Sequence, residues 1–189
     1  MDERRGRPDP LHRLPPVEAE RVRRLLEDRT GPAPASEPAG HRDDLTWLLN
    51  RAGFIAAAEP YLAWAADAAE QVQLVRIDVD GLAAYCEAHG PEAGDAVLRC
   101  VAQTVHAGFR STDVQARVGD DDFAVLCIGS ATPDQLRDRV DAGYTTRSVG
   151  LPRPPRLVTV VVAAGGGIPA AALLDAGDEA VAAAQAAAP

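Results

Sequence analysis

Apolar and polar positions change period several times along the chain, and each change marks an element. In VEAERVRRLLEDR, residues 17–29, Val17, Val22, Leu25 and Leu26 recur at helical spacing and predict a short amphipathic helix. TGPAPASEPAG then breaks either period with prolines and glycines and reads as a linker. The pattern of a compact domain starts near residue 43, so the chain divides into a tail, residues 1–42, and a domain, residues 43–189. DDLTWLLNRAGFIAAAEPYLAWAADAAE predicts one helix, a break and a second helix ending near Glu70. In VQLVRIDVDGL, Leu74, Val75 and Ile77 form a buried strand running into Asp78 and Asp80. PEAGDAVLRCVAQTVHAGF is a helix with Ala96, Leu98, Val101 and Val105 on its inward face.

DVQARV and FAVLCI alternate as strands do, and the acidic turn between them makes a hairpin. TPDQLRDRVDA predicts a helix with Thr132 as N-cap and Pro133 in the first turn. LVTVVVAA reads as another buried strand, and PAAALLDAGDEAVAAAQAAA as an Ala-rich closing helix. The order α, α, β, α, β, β, α, β, α implies an α/β fold with helices packed on a sheet.

Composition narrows the function. Residues 1–16 are rich in Pro and Arg and are expected to be disordered. Residues 1–30 sum to +1 and residues 31–189 to −10, an acidic body that disfavours nonspecific nucleic-acid binding. There is no lysine, and no arginine beyond Arg156, so the last helix carries no base of its own. Cys86, Cys100 and Cys127 are an odd set without CxxC spacing, against a disulfide framework or zinc knuckle. No apolar stretch reaches membrane-span length and MDERRGRPDP lacks a secretion signal, so a cytoplasmic location is expected.

The chemistry centres on Asp120, Asp121 and Asp122, whose like charges repel by roughly 1–3 kcal/mol per neighbouring pair when partly shielded. Such a turn is either well solvated or holds a cation. If the strand ending at Asp78 lies beside the hairpin, Asp78 and Asp121 meet at one sheet edge, a donor pair suited to Mg²⁺. Spacing alone leaves both readings open.

Four segments in order carry a resemblance. DLTWLLNRAGF is similar to D-x-L-T-x-L-x-N-R-x-x-F, and DVDGLAAYCEAHGPEAGD to D-x-D-x-F-K-x-x-N-D-x-x-G-H-x-x-G-D. DVQARVGDDDF resembles the strand leading into the signature G-G-D-E-F, and LLDAGDEAVAAAQ the final helix. From Asp43 to about Gln185 the sequence thus resembles the GGDEF family, the diguanylate cyclases that condense two GTP into cyclic di-GMP. The resemblance implies a palm-like domain of the nucleotidyl-cyclase kind, with a central, mainly antiparallel sheet flanked by helices. It assigns metal ligation to Asp78, the Val79 carbonyl and Asp121, with Asp122 standing where the family has Glu. Asp95 matches the acid that reads guanine, and Gly119 the first signature glycine.

The departures fall on nucleotide contacts. Asp120 replaces the second signature glycine, Cys86 the guanine-binding Asn, Ala83 the phosphate-binding Lys, and Gln185 the Lys of the last helix. An unpaired edge on a buried base costs about 1–3 kcal/mol, and each lost cation ~1 kcal/mol of phosphate binding. Arg110 and Asp113 match the family's RxxD inhibitory site for cyclic di-GMP, with Arg137 or Arg139 as a further cation. Three readings follow: a GGDEF domain that binds cyclic di-GMP or GTP without efficient cyclase activity, a pseudoenzyme acting only by protein contact, or a slow Mg²⁺-dependent cyclase. The resemblance implies pairing of two domains for catalysis, and residues 17–29 are the candidate surface for a homodimer or partner protein.

Overall fold

The computed structural model describes Leu14, residues 16–27 and residues 40–187. Expectations for most of residues 1–16 and for the linker lie outside the described residues. In chain order the elements are α1 (Pro16–Glu27), α2 (Arg51–Asp67), β1 (Gln71–Asp80), α3 (Leu82–His89), α4 (Pro91–Gly108), β2 (Val114–Arg117), β3 (Asp122–Ile128), α5 (Pro133–Arg147), β4 (Arg156–Gly165) and α6 (Ala170–Ala186). The strands form one antiparallel sheet in the order β2-β3-β1-β4.

Because successive side chains on a strand point to opposite faces, the sheet carries two cores. Val72 and Leu74 of β1 and Ala124 and Leu126 of β3 pack with α1, α2 and α6. Val75, Ile77, Val79, Phe123 and Val125 pack on the other side with α3, α4 and α5. Each fully buried Val, Leu, Ile or Phe contributes about 1.5–3 kcal/mol. Central β1 is buried along nearly its whole length, polar Gln73, Arg76 and Asp78 included, because helices cover both faces of the sheet.

Several elements differ from the expectation. Residues 43–50 form a turn rather than a helix: Asp43 Oδ1 accepts from the Thr46 amide at 2.8 Å and its hydroxyl at 2.6 Å. Asn50 then caps α2, its side chain accepting from the Gly53 amide at 2.9 Å. Instead of two helices with a break, α2 runs unbroken through Pro60, held in line by buried Ala57, Ala58, Tyr61 and Leu62 on both sides of it. Helix α3 had no counterpart in the periodicity, since only Leu82 and Tyr85 of its eight residues are buried. Ala96 is half-buried, and Val97 takes the inward place beside Leu98. Strand β4 lies at the sheet edge and only its Val158 is buried, not the whole strand. In α1, Val17 is 83% exposed while Ala19 and Val22 face the core. Thr132 caps α5 in a reciprocal capping box with Gln135, and Pro133 opens the helix. No helix among the described residues is long and apolar enough to cross a membrane.

Candidate functional site

Register decides where the acids meet. Strands β1 and β3 are neighbours, and Asp78 pairs directly with Asp122. The ladder continues past β3, the Val79 amide donating to the Asp121 carbonyl at 3.1 Å. Carboxylate oxygens of Asp78, Asp121 and Asp122 consequently lie within 4.8 Å of one another. Like charges directly across a sheet are destabilising, and burial compounds this. Asp78 is buried, and desolvation followed by the Asp121 and Asp122 charges pushes its carboxyl up to about 6. Asp122 is also raised, first by desolvation, with Arg76 opposing the shift. The donor set fits a hard divalent cation, which would relieve that repulsion.

Part of the relief is built in. Arg76 shares the Asp78 face of β1, is 1% exposed, and sits across from small Ala124, one step diagonal to Asp122. Its guanidinium donates to Asp122 at 3.1 Å and to Asp178 of α6. Gly177 makes room for the stem: a Cβ there would lie 2.6 Å from Arg76 Cγ and 2.9 Å from Cδ. Two guanidinium nitrogens, Nε and Nη1, are buried without a hydrogen-bond partner. Periodicity missed this residue, although a charge inside a buried strand run was its visible signal.

The other contacts follow from the same sheet edge. Gln185, in the place of the expected Lys, donates to Asp78 Oδ1 at 2.7 Å. Arg117 pairs with Asp43 at 3.1 Å and donates to the Asp120 carbonyl at 2.6 Å, tying the hairpin tip to the 43–50 turn. The Asp120 side chain is exposed. At Gly119 a Cβ would come within 2.8 Å of Asp122 Oδ2, so any side chain there displaces the signature acid. The cations around the cluster are engaged by acids of the chain: Arg51 with Asp175 at 3.2 Å and Arg156 with Asp80 at 2.9 Å. Cys86 packs on Gly94, next to Asp95, so the two guanine-matching positions meet where α3 crosses α4, and Asp95 leans on Arg99 at 3.4 Å.

Arg110 and Asp113 close a separate turn after α4. One Asp113 oxygen accepts from the Arg110 amide at 2.8 Å, and the side chain is buried. Arg139 lies over the Phe109 ring at 5.8 Å, whereas Arg137 is paired with Asp134. Burial pushes the Cys127 thiol up to about 12, with Asp113 raising it further and Arg139 and Arg110 opposing, so these charges gather around one end of β3.

An antiparallel sheet with helices on both faces and an acid cluster where a hairpin meets a central strand defines a palm-like domain. The family described as "Diguanylate cyclase, GGDEF domain" matches residues 40–186, and the chain belongs to it. Among curated relatives, the diguanylate cyclase TpbB of Pseudomonas aeruginosa is 38% identical over 98 residues, 51% of this chain and 22% of that protein. The probable diguanylate cyclase DgcE of Escherichia coli is 36% identical over 105 residues, 56% of this chain and 9% of that protein. The chain therefore spans less than a quarter of the length of these relatives. The solved GGDEF domain of TpbB superposes with a TM-score of 0.69 at 30% identity, covering 78% of this chain and 90% of that one. The GGDEF domain of DgcB from Caulobacter crescentus, solved with cyclic di-GMP, shares the fold at 20% identity and a TM-score of 0.64, over 79% and 92% of the two chains.

Proposed function

We propose that this GGDEF domain is a cyclic di-GMP-binding signalling module with little capacity to condense GTP. The observation that carries the reading is the neutral Gln185 amide on Asp78, where the family's last helix brings a Lys. It leaves the metal ligands in place and supplies no charge for a triphosphate. Asp120 adds an anion at the hairpin tip, and the neighbouring arginines are already paired with acids. Preorganised cations supply much of the rate in phosphoryl transfer. Asp78, Asp121 and the Val79 carbonyl would hold Mg²⁺, which when bound polarises phosphate oxygens. Asp122 is held back by Arg76.

The ligand would sit at the Arg110 turn; cyclic di-GMP is bound in the solved GGDEF domain of DgcB, which shares this fold. Arg110 and Arg139 would grip phosphate and guanine through their planar forks, while Asp113 holds the turn in shape. Titrating the protein calorimetrically with cyclic di-GMP should give saturable heat that Arg110→Ala reduces at least tenfold. Equal heat from the variant, or none from the parent, rejects the site. A slow cyclase is the second reading, favoured by the compact carboxylate cluster. Homodimerisation or partner binding through α1 belongs with both, Val17 being exposed on that helix.

A further inference from the structure

Away from both of those sites, a cleft of about 510 Å³ opens between the 42–49 turn, the outer face of α4 and the end of α5. That volume falls in the range of small-ligand pockets. Its lining includes Arg42, Arg99, His106 and Arg147 and, among the described residues, no acidic one, in a chain whose net charge is −9. Neither the acid cluster nor Arg110, Asp113 or Asp95 lines it.

Two further features point to an occupant. Trp47 lines the cleft, the residue 42% exposed and its backbone at φ +62, a conformation that a bulky residue rarely adopts. The strained turn is tied down, with the Trp47 amide donating to the Asp43 carbonyl and Arg42 donating to the Trp47 carbonyl, each at 2.9 Å. Gln115, only 2% exposed, also lines the cleft; its amide nitrogen is bonded to the Arg110 carbonyl, while its Oε1 has no hydrogen-bond partner. That acceptor is unsatisfied and closed to solvent as the cleft stands, a cost that a ligand donor reaching it would remove.

We infer that this cleft binds a nucleoside phosphate, with the base against the Trp47 ring and the phosphates among Arg42, Arg99 and Arg147. An indole face stacks on any base, and guanidinium forks match phosphate oxygens. Arg99 makes one weak pair with Asp95, and Arg147 one bond to its own helix at the Gly143 carbonyl, so most donors of both are open to a ligand. The site shares no lining side chain with the Arg110 turn, which it touches only through the Gln115 bond to the Arg110 carbonyl, and its test is separate.

The test uses a Trp64→Phe background, in which Trp47 is the sole indole, and ATP as the probe with EDTA present to silence the acid cluster. ATP should quench the fluorescence saturably. Arg99→Ala with Arg147→Ala should weaken binding at least tenfold, and Arg110→Ala should leave it unchanged. Trp47→Gly suits the positive φ, so it should raise the melting temperature while lowering calorimetric ATP affinity at least tenfold; a residue serving only the turn would move only the first. Absence of saturation, indifference to the double arginine variant, or tighter binding of an acidic leucine-containing peptide than of ATP overturns the inference.

Discussion

Removing both carboxylates from Arg76, as Asp122→Ala with Asp178→Ala, should destabilise the domain by about 3–5 kcal/mol, the loss typical of a buried charge left without its partners. The guanidinium is 1% exposed and cannot rehydrate where it lies, because Gly177 and Ala124 close around its stem. The carboxylates themselves are 30% and 48% exposed, so their own removal costs little. Adding Arg76→Met to the double variant should therefore recover most of the loss, since an uncharged chain of similar length fills the same slot. Denaturant unfolding of the parent, the double variant, Arg76→Met alone and the triple variant measures the coupling. Additive effects, with no recovery in the triple variant, would show that the ion pairs contribute nothing.

Asp78→Asn should raise stability at neutral pH, at the expense of the metal site. The folded Asp78 carboxyl is pushed up to about 6, from an ordinary 3.8, chiefly by desolvation and then by Asp121 and Asp122. Between those values the folded protein holds a proton that the unfolded chain has released, so stability falls as pH rises through the window. Above it the full penalty stands, at most ~3 kcal/mol for a shift of this size. Asn keeps an oxygen for the Gln185 amide and has no charge to desolvate. The variant should melt about 3–8 °C higher than the parent at pH 7.5, and the gap should close at pH 3.5. Mg²⁺ should narrow it by stabilising only the parent. A gap that persists in acid, or no gap at neutral pH, would contradict the assignment.

Much of the fold was legible because two periods, near two and near 3.6, are written clearly in this chain. The alternation in DVQARV and the apolar FAVLCI on either side of the acidic turn gave the hairpin, and Leu74, Val75 and Ile77 gave a buried strand ending at Asp78; only the pairing of β1 with β3 then brought Asp78 to the acidic turn. Propensity failed where tertiary packing overrode it. Pro60 reads as a helix break, yet α2 continues because both flanking turns are anchored on the sheet. Helix α3 buries too few residues to leave a period, and β4 has the apolar run of an inner strand while lying at the edge. At the site, single-position matches found the acids but not their support. Arg76, Gly177 and Asp178 are far apart in sequence and meet only through the pairing of β1 with its neighbours and the packing of α6. Likewise, nothing local told that Trp47 would stand exposed on a strained turn.

The proposed reading is electrostatic: acids that would hold a metal cluster at the hairpin, and the charges that would seat and stabilise a triphosphate are replaced or already paired. The most direct measurement is formation of cyclic di-GMP by the purified chain incubated with GTP and Mg²⁺ or Mn²⁺, beside Asp121→Ala as the blank. The account predicts product no higher than the blank, a loss of at least about 10³ against a competent site. Sustained product that Asp121→Ala abolishes would contradict it.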